Sequence, residues 1–260
     1  MKKFVLMPML LIGSSQVYAH TPYLMPHSFE PVRGNKVTLD ASFSEKFFIP
    51  EVAFTGSEFF VIAPNGKRET PEKEAELTTR KVLEHSLKEE GTYRFSTGQR
   101  KGAIFRVYMK DGKRGSLRGN DEPLPEGAKI TDHFQAITYA ETWVPHKGPT
   151  SDNVKPLGNG LEIVPVTHPN DVFSGDKFSF TVHYNGKPLP DAKAFIYLAN
   201  YQFSEEKAEL EVTTDSAGNA SFSPEEQGVY VLRVRHRDAA PEGADVPRYS
   251  YTTTLTLEAY

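Results

Sequence analysis

Apolar residues along this chain recur at the two-residue spacing of β-strands, and helical periodicity is scarce, so the sequence offers little from which to build a helical layer. Residues 37–43 (VTLDASF) alternate after Arg33-Gly34-Asn35, and Phe59-Phe60-Val61-Ile62 stops at the turn Pro64-Asn65-Gly66. Strand-length runs follow at 82–87 (VLEHSL), 91–95 (GTYRF), 103–108 (AIFRVY) and 137–144 (ITYAETWV). A second group opens at 161–165 and includes 178–184 (FSFTVHY), closed by the hairpin dipeptide Asn185-Gly186. Runs at 194–198, 210–214, 220–222, 229–234 and 250–257 bring this group to about seven strands, the content of an immunoglobulin-like sandwich. The predicted fold is all-β, two β-sandwich domains in tandem. The first spans 20–150, with a long polar loop near 110–130, and the second spans 160–260. The proline- and glycine-rich stretch from Pro145 to Gly160 reads as the linker.

Ahead of these strands stands a secretory signal. Lys2 and Lys3 precede the apolar stretch FVLMPMLLI at 4–12, and Val17-Tyr18-Ala19 supplies the small residues of a cleavage site. The apolar stretch is too short to span a bilayer. Cleavage between Ala19 and His20 predicts a periplasmic chain with no stable membrane insertion, beginning with histidine. No cysteine occurs, which removes disulfides, thiolate ligands and cysteine nucleophiles. The formal net charge is −4, and without basic clusters this argues against nucleic acid as a partner.

An N-terminal histidine chelates through its α-amine and imidazole together, the amine having an ordinary pKa of about 7.7–8.0. The square-planar motif that needs histidine at the third position is excluded, because Pro22 has no amide hydrogen to lose. Further ligands must come from elsewhere. His85 lies on one strand face with Leu83 and Leu87, either a core residue or a ligand. His133 follows Asp132, a carboxylate able to ligate or to orient the ring. His236 continues the face of Tyr230, Leu232 and Val234 to a strand end, although Arg235 and Arg237 beside it repel a dication. His27 is placed opposite His20 on a regular strand. His146 and His168 read as surface loop residues, and His183 as solvent-facing. No HxH or HxxxH pair is present, so ligands converge only through folding. Donors of this kind suit nickel, cobalt, copper or zinc. There is no GxSxG elbow and no phosphate loop, and a non-enzymatic protein is expected.

The segments HTPYLMP at 20–26, Phe29 to Gly34, Gly160 to Asn170, Asn185 to Pro190, Thr214 to Gly218 and Gly228 to His236 together resemble the periplasmic component of bacterial cobalt/nickel uptake systems. The resemblance implies a two-domain β protein whose second half is similar to prealbumin-like or carboxypeptidase-regulatory modules. It further implies divalent metal capture, nickel or cobalt first, with membrane importer subunits as partners. Thr21 and Tyr23 depart from the acidic residue and tryptophan that often follow the first histidine in that family. The metal ligands expected are His20, His85, His133 and His236. Two other functions fit the same strands: an adhesive or scaffold module without metal, and a copper-dependent oxidase using the N-terminal histidine.

Overall fold

The computed structural model describes residues 20–31, 34–199 and 209–260, so the expected signal at 1–19 lies outside the described residues. Every regular element among them is a strand, and three sheets result. The first sheet contains β1 (Thr21–Pro26), β2 (Lys36–Ser44), β3 (Val52–Ala53), β6 (Lys73–Glu76) and β7 (Lys81–Ser86), ordered β1-β2-β7-β6 with β3 on β2. The second is the long central sheet. It contains β4 (Phe60–Ile62), β5 (Arg68–Glu69), β8 (Gly91–Ser96), β9 (Arg100–Lys110), β10 (Lys113–Arg118), β11 (Lys129–His146), β15 (Lys193–Leu198), β16 (Glu209–Thr213), β18 (Gly228–Ala239) and β19 (Arg248–Ala259). Its order is β16-β15-β18-β19-β11-β8-β4-β5, and β9 leaves the edge of β11 carrying β10 as a hairpin. The third contains β12 (Leu161–Pro165), β13 (Phe178–Tyr184), β14 (Lys187–Pro188) and β17 (Asn219–Phe222).

Alternation along β11 explains how these layers stack. Ala140 and Val144 join the core made by Leu24, Leu39, Phe54, Leu83 and Phe95. Trp143, one residue out of phase, joins the other core with Leu161, Phe178, Phe180, Leu232 and Leu255. Successive strand residues face opposite ways. The first and third sheets therefore cover opposite faces of the central sheet, and each encloses its own hydrophobic core.

The two cores match the two sandwiches expected, but the connection between them differs. Strand β11 pairs in parallel with β19 from Phe134↔Arg248 to Thr142↔Thr256, so one sheet runs through both halves. The stretch read as a linker is a bonded strap. Thr150 Oγ1 accepts from Thr92 N at 3.0 Å, Asn153 Nδ2 donates to Ile62 O at 3.2 Å, and Lys155 O accepts from Arg94 Nη1 at 2.6 Å. Its prolines and glycines serve tight turns against the sheet rather than free rotation. The polar region near 110–130 likewise contains β10, paired with β9 from Lys113↔Lys110 to Arg118↔Phe105.

Beneath the strap lies a buried ionic cluster. Arg94 donates Nε and Nη2 to the two oxygens of Glu141, both at 2.7 Å, and its Nη2 lies 3.8 Å from Glu162. Tyr139 OH donates to Glu141, while Glu162 accepts from Leu157 N and Gly158 N at 2.7 and 2.8 Å. Arg94, Glu141 and Glu162 are each at most 2% exposed.

Candidate functional site

Toward β9 and β10 the central sheet extends beyond the first sheet, and a cavity of about 730 Å³ opens on the uncovered area. Its floor is set by register. Thr138 of β11 is opposite Arg100 of β9 and Thr252 of β19, and Thr252 is opposite Arg235 of β18. One rung therefore reads Arg100, Thr138, Thr252, Arg235 across four adjacent strands. The next rung holds Ala136, Ser250 and Arg237. Phe105 and Phe134 stack at 5.5 Å further along, and the β10 arm contributes Arg114, Ser116 and Arg118 as a wall. The ends of β1 and β2 close the other side with His20 and Phe43.

His20 stands at the edge of this cavity with Nε2 2.7 Å from Glu51 Oε2. The other oxygen of Glu51 accepts from Glu45 N at 2.9 Å, and Glu51 N donates to Phe43 O at 3.2 Å, so the carboxylate is held in place. Glu51 was not among the expected site residues. It lies between the apolar stretches Phe47–Pro50 and Val52–Phe54, and no spacing in the sequence links it to His20.

Of the other expected ligands, His236 borders the same cavity, whereas His85 and His133 lie elsewhere. His85 is opposite Val37 on β2, whereas Thr21, next to His20, is opposite Ser44. Seven residues of β2 separate those positions, about 23 Å along the strand at ~3.3 Å per residue. His85 is 2% exposed and packs on Tyr93 and Phe95, as Leu83 and Leu87 on the same face imply. His236, opposite Tyr251, borders the cavity, but its ring packs 4.5 Å from Tyr184 of the third sheet. His133 Nε2 is 3.1 Å from Asn120 Oδ1, out of phase with Phe134 and so behind the cavity floor. Of the four, His20 and His236 border one cavity, and His85 and His133 do not. Among the described residues no group of three or more histidines and carboxylates is placed to hold a metal ion. His146 and His168, read as surface residues, are tied into the strap instead. His146 Nδ1 is 3.0 Å from Glu89 O, and His168 Nε2 is 3.0 Å from Thr150 O.

Burial sets the protonation behaviour of three histidines. It pushes His85, His168 and His236 below the ordinary value of 6.5, against weaker upward pulls from nearby carboxylates or a backbone carbonyl. A histidine with a lowered folded pKa stabilises fully above 6.5 and loses that contribution as pH falls through 6.5 toward the folded value. Both ring nitrogens of His85 lack a hydrogen-bond partner, and Glu69 stands 3.6 Å from Nε2, too far for a hydrogen bond to offset burial. Urea midpoints should fall between pH 7.5 and 5.5, and His85→Phe should fall less steeply than wild type. Identical slopes would remove His85 as a contributor.

Among the described residues no helix is long and apolar enough to cross a membrane. Residues 17–238 match the family model Domain of unknown function (DUF4198). No curated protein matches the chain. Among solved structures, the D0-D1 domain of Intimin is 10% identical, with 91% of this chain and 97% of that chain covered at a TM-score of 0.23. The chicken CNTN1 FN1-FN3 domains are 8% identical, with 92% and 98% covered at a TM-score of 0.24. Scores this low carry no argument, and the architecture stands on the sheets themselves.

Proposed function

We propose, for a chain that belongs to the family described as Domain of unknown function (DUF4198), a role in capturing a divalent transition metal outside the cytoplasm for transfer to a membrane importer. Nickel or cobalt is favoured. The carrying observation is the 2.7 Å contact between His20 Nε2 and Glu51 Oε2 at the cavity edge. Metal-binding histidines commonly give their second ring N–H to a carboxylate, which fixes the tautomer and raises the basicity of the other nitrogen. With Nε2–H directed to Glu51, Nδ1 keeps its lone pair. Removal of 1–19 would then add an α-amine to the same residue, and amine and Nδ1 would close a chelate ring on one ion. His85, His133 and His236 have no part in this shell. Its remaining positions are left to small exogenous ligands, which suits a protein that must release its cargo.

The test is a nickel titration of the chain beginning at His20 against the same chain with one residue added ahead of it. The extension should weaken binding at least about hundredfold, since joining two donors in one ring is worth that much. Glu51→Gln should weaken it about 10- to 100-fold. Affinity should also fall on acidification, because both nitrogens must be unprotonated to bind. Equal affinities with and without the extension would end this reading.

A further inference from the structure

We infer that the cavity beside His20 is a binding site for a small organic polycarboxylate. Five arginines line it, Arg100, Arg114, Arg118, Arg235 and Arg237, and among the described residues no carboxylate does. The chain as a whole carries a formal charge of −4, so a lining of arginines without carboxylates runs against its overall balance. Arg237 pairs with Asp132, which also lies 3.8 Å from Arg248.

The arrangement is built rather than diffuse. Arg100 and Arg235 end a single rung of four strands, three interstrand steps of about 4.8 Å apart, with two threonine hydroxyls between them. Arg100 is fixed by donating Nε to Thr55 O at 2.5 Å, and its guanidinium lies 5.2 Å over the ring of Phe43. Arg237 sits 4.6 Å over Phe134. Burial, and then the charge of Arg118, push Arg100 below its ordinary value, which places two guanidinium charges within reach of each other. Like charges collected in a concavity are costly alone, and an anion between them reverses the sign of that interaction.

Guanidinium groups match carboxylates in a bidentate, planar way. Stacked Phe105 and Phe134 offer apolar contact to a carbon skeleton. A cavity of about 730 Å³ is large for an inorganic anion and of the size that encloses small organic molecules. The threonine and serine hydroxyls on the floor supply neutral donors between the charges.

The experiment is calorimetric titration of the full chain, stripped of metal, with citrate, inorganic phosphate and glucose. The expected result is saturable binding of citrate at one site, weakening as salt rises, with phosphate far weaker and glucose silent. Arg118→Gln should weaken citrate about tenfold and Arg114→Gln/Arg118→Gln about a hundredfold, as for charge-assisted bonds. Both side chains are exposed on the β9–β10 arm, so the variants should keep the wild-type circular dichroism and melting temperature. No saturable citrate binding, unchanged affinity in the double variant, or phosphate binding as tightly as citrate would each overturn the assignment. Because no metal is present, a positive result stands whether or not His20 chelates nickel.

Discussion

Replacing Arg94 with methionine is expected to destabilise the protein by about 3–5 kcal/mol, the cost of leaving a buried charge without its partner. Glu141 receives two hydrogen bonds from Arg94, and Glu162 lies within 3.8 Å of the same guanidinium. Both carboxylates are almost fully buried, so neither has water to turn to. Glu141 is already pushed upward by burial, with Arg94 as the opposing pull, and removing that pull favours a protonated, neutral acid. Strap anchoring is lost as well, because Arg94 Nη1 donates to Lys155 O. In a chain of this size the melting temperature should drop by about 10 °C. Urea unfolding followed by the fluorescence of Trp143, 5.1 Å under the Arg94 guanidinium, measures it. Replacing Arg94, Glu141 and Glu162 together with apolar residues should recover most of the loss, since a removed cluster leaves no orphan. A loss below about 1 kcal/mol for the single variant would mean that water reaches the cluster.

Trp143→Ala should cost a similar 3–5 kcal/mol, the range for deleting a large aromatic from a packed core. Trp143 is 1% exposed and belongs to the core under the third sheet, while its neighbour Val144 belongs to the core under the first. Both residues sit on β11, so the damage cannot stay in one half. Circular dichroism and tyrosine fluorescence should report one coincident transition at lower denaturant. Two separated transitions would show that the sandwiches unfold independently and that the shared sheet couples them weakly. Since Arg94 stacks over this indole, Arg94→Met and Trp143→Ala together should lose less than the sum of their separate effects.

The β character was legible because alternation is local: residues 37–43 and 178–184 carry their own facing pattern, and both became strands with the predicted inward side chains. His85 as a core residue follows from the same rule. What was not legible depends on pairing between distant strands. Arg100, Thr138, Arg235 and Thr252 share a rung only because β11 pairs β19 in parallel, and no spacing in the chain announces that. Arg235 and Arg237 were read as obstacles to a cation at His236, yet they line the cavity that His236 borders. The strap at 145–160 was misread because proline and glycine mark turns whether or not the turns are bonded down. Glu51 and the Arg94 cluster escaped for the same reason: their partners are close in space and unremarkable in sequence.

β19 holds the middle of the central sheet, bonded to β18 on one side and β11 on the other, and it occupies Arg248–Ala259. A chain made from its N-terminus delivers that segment after the other strands of the sheet. Until it arrives β11 has an open edge, and the N-terminal half waits with half its ladder unmade. Assembly governed by contacts so distant along the chain is slow and leaves sticky edges in the interim. Losing Arg248–Ala259 would thus leave β18 and β11 without the strand that joins them, and the remaining strands prone to clumping or proteolysis.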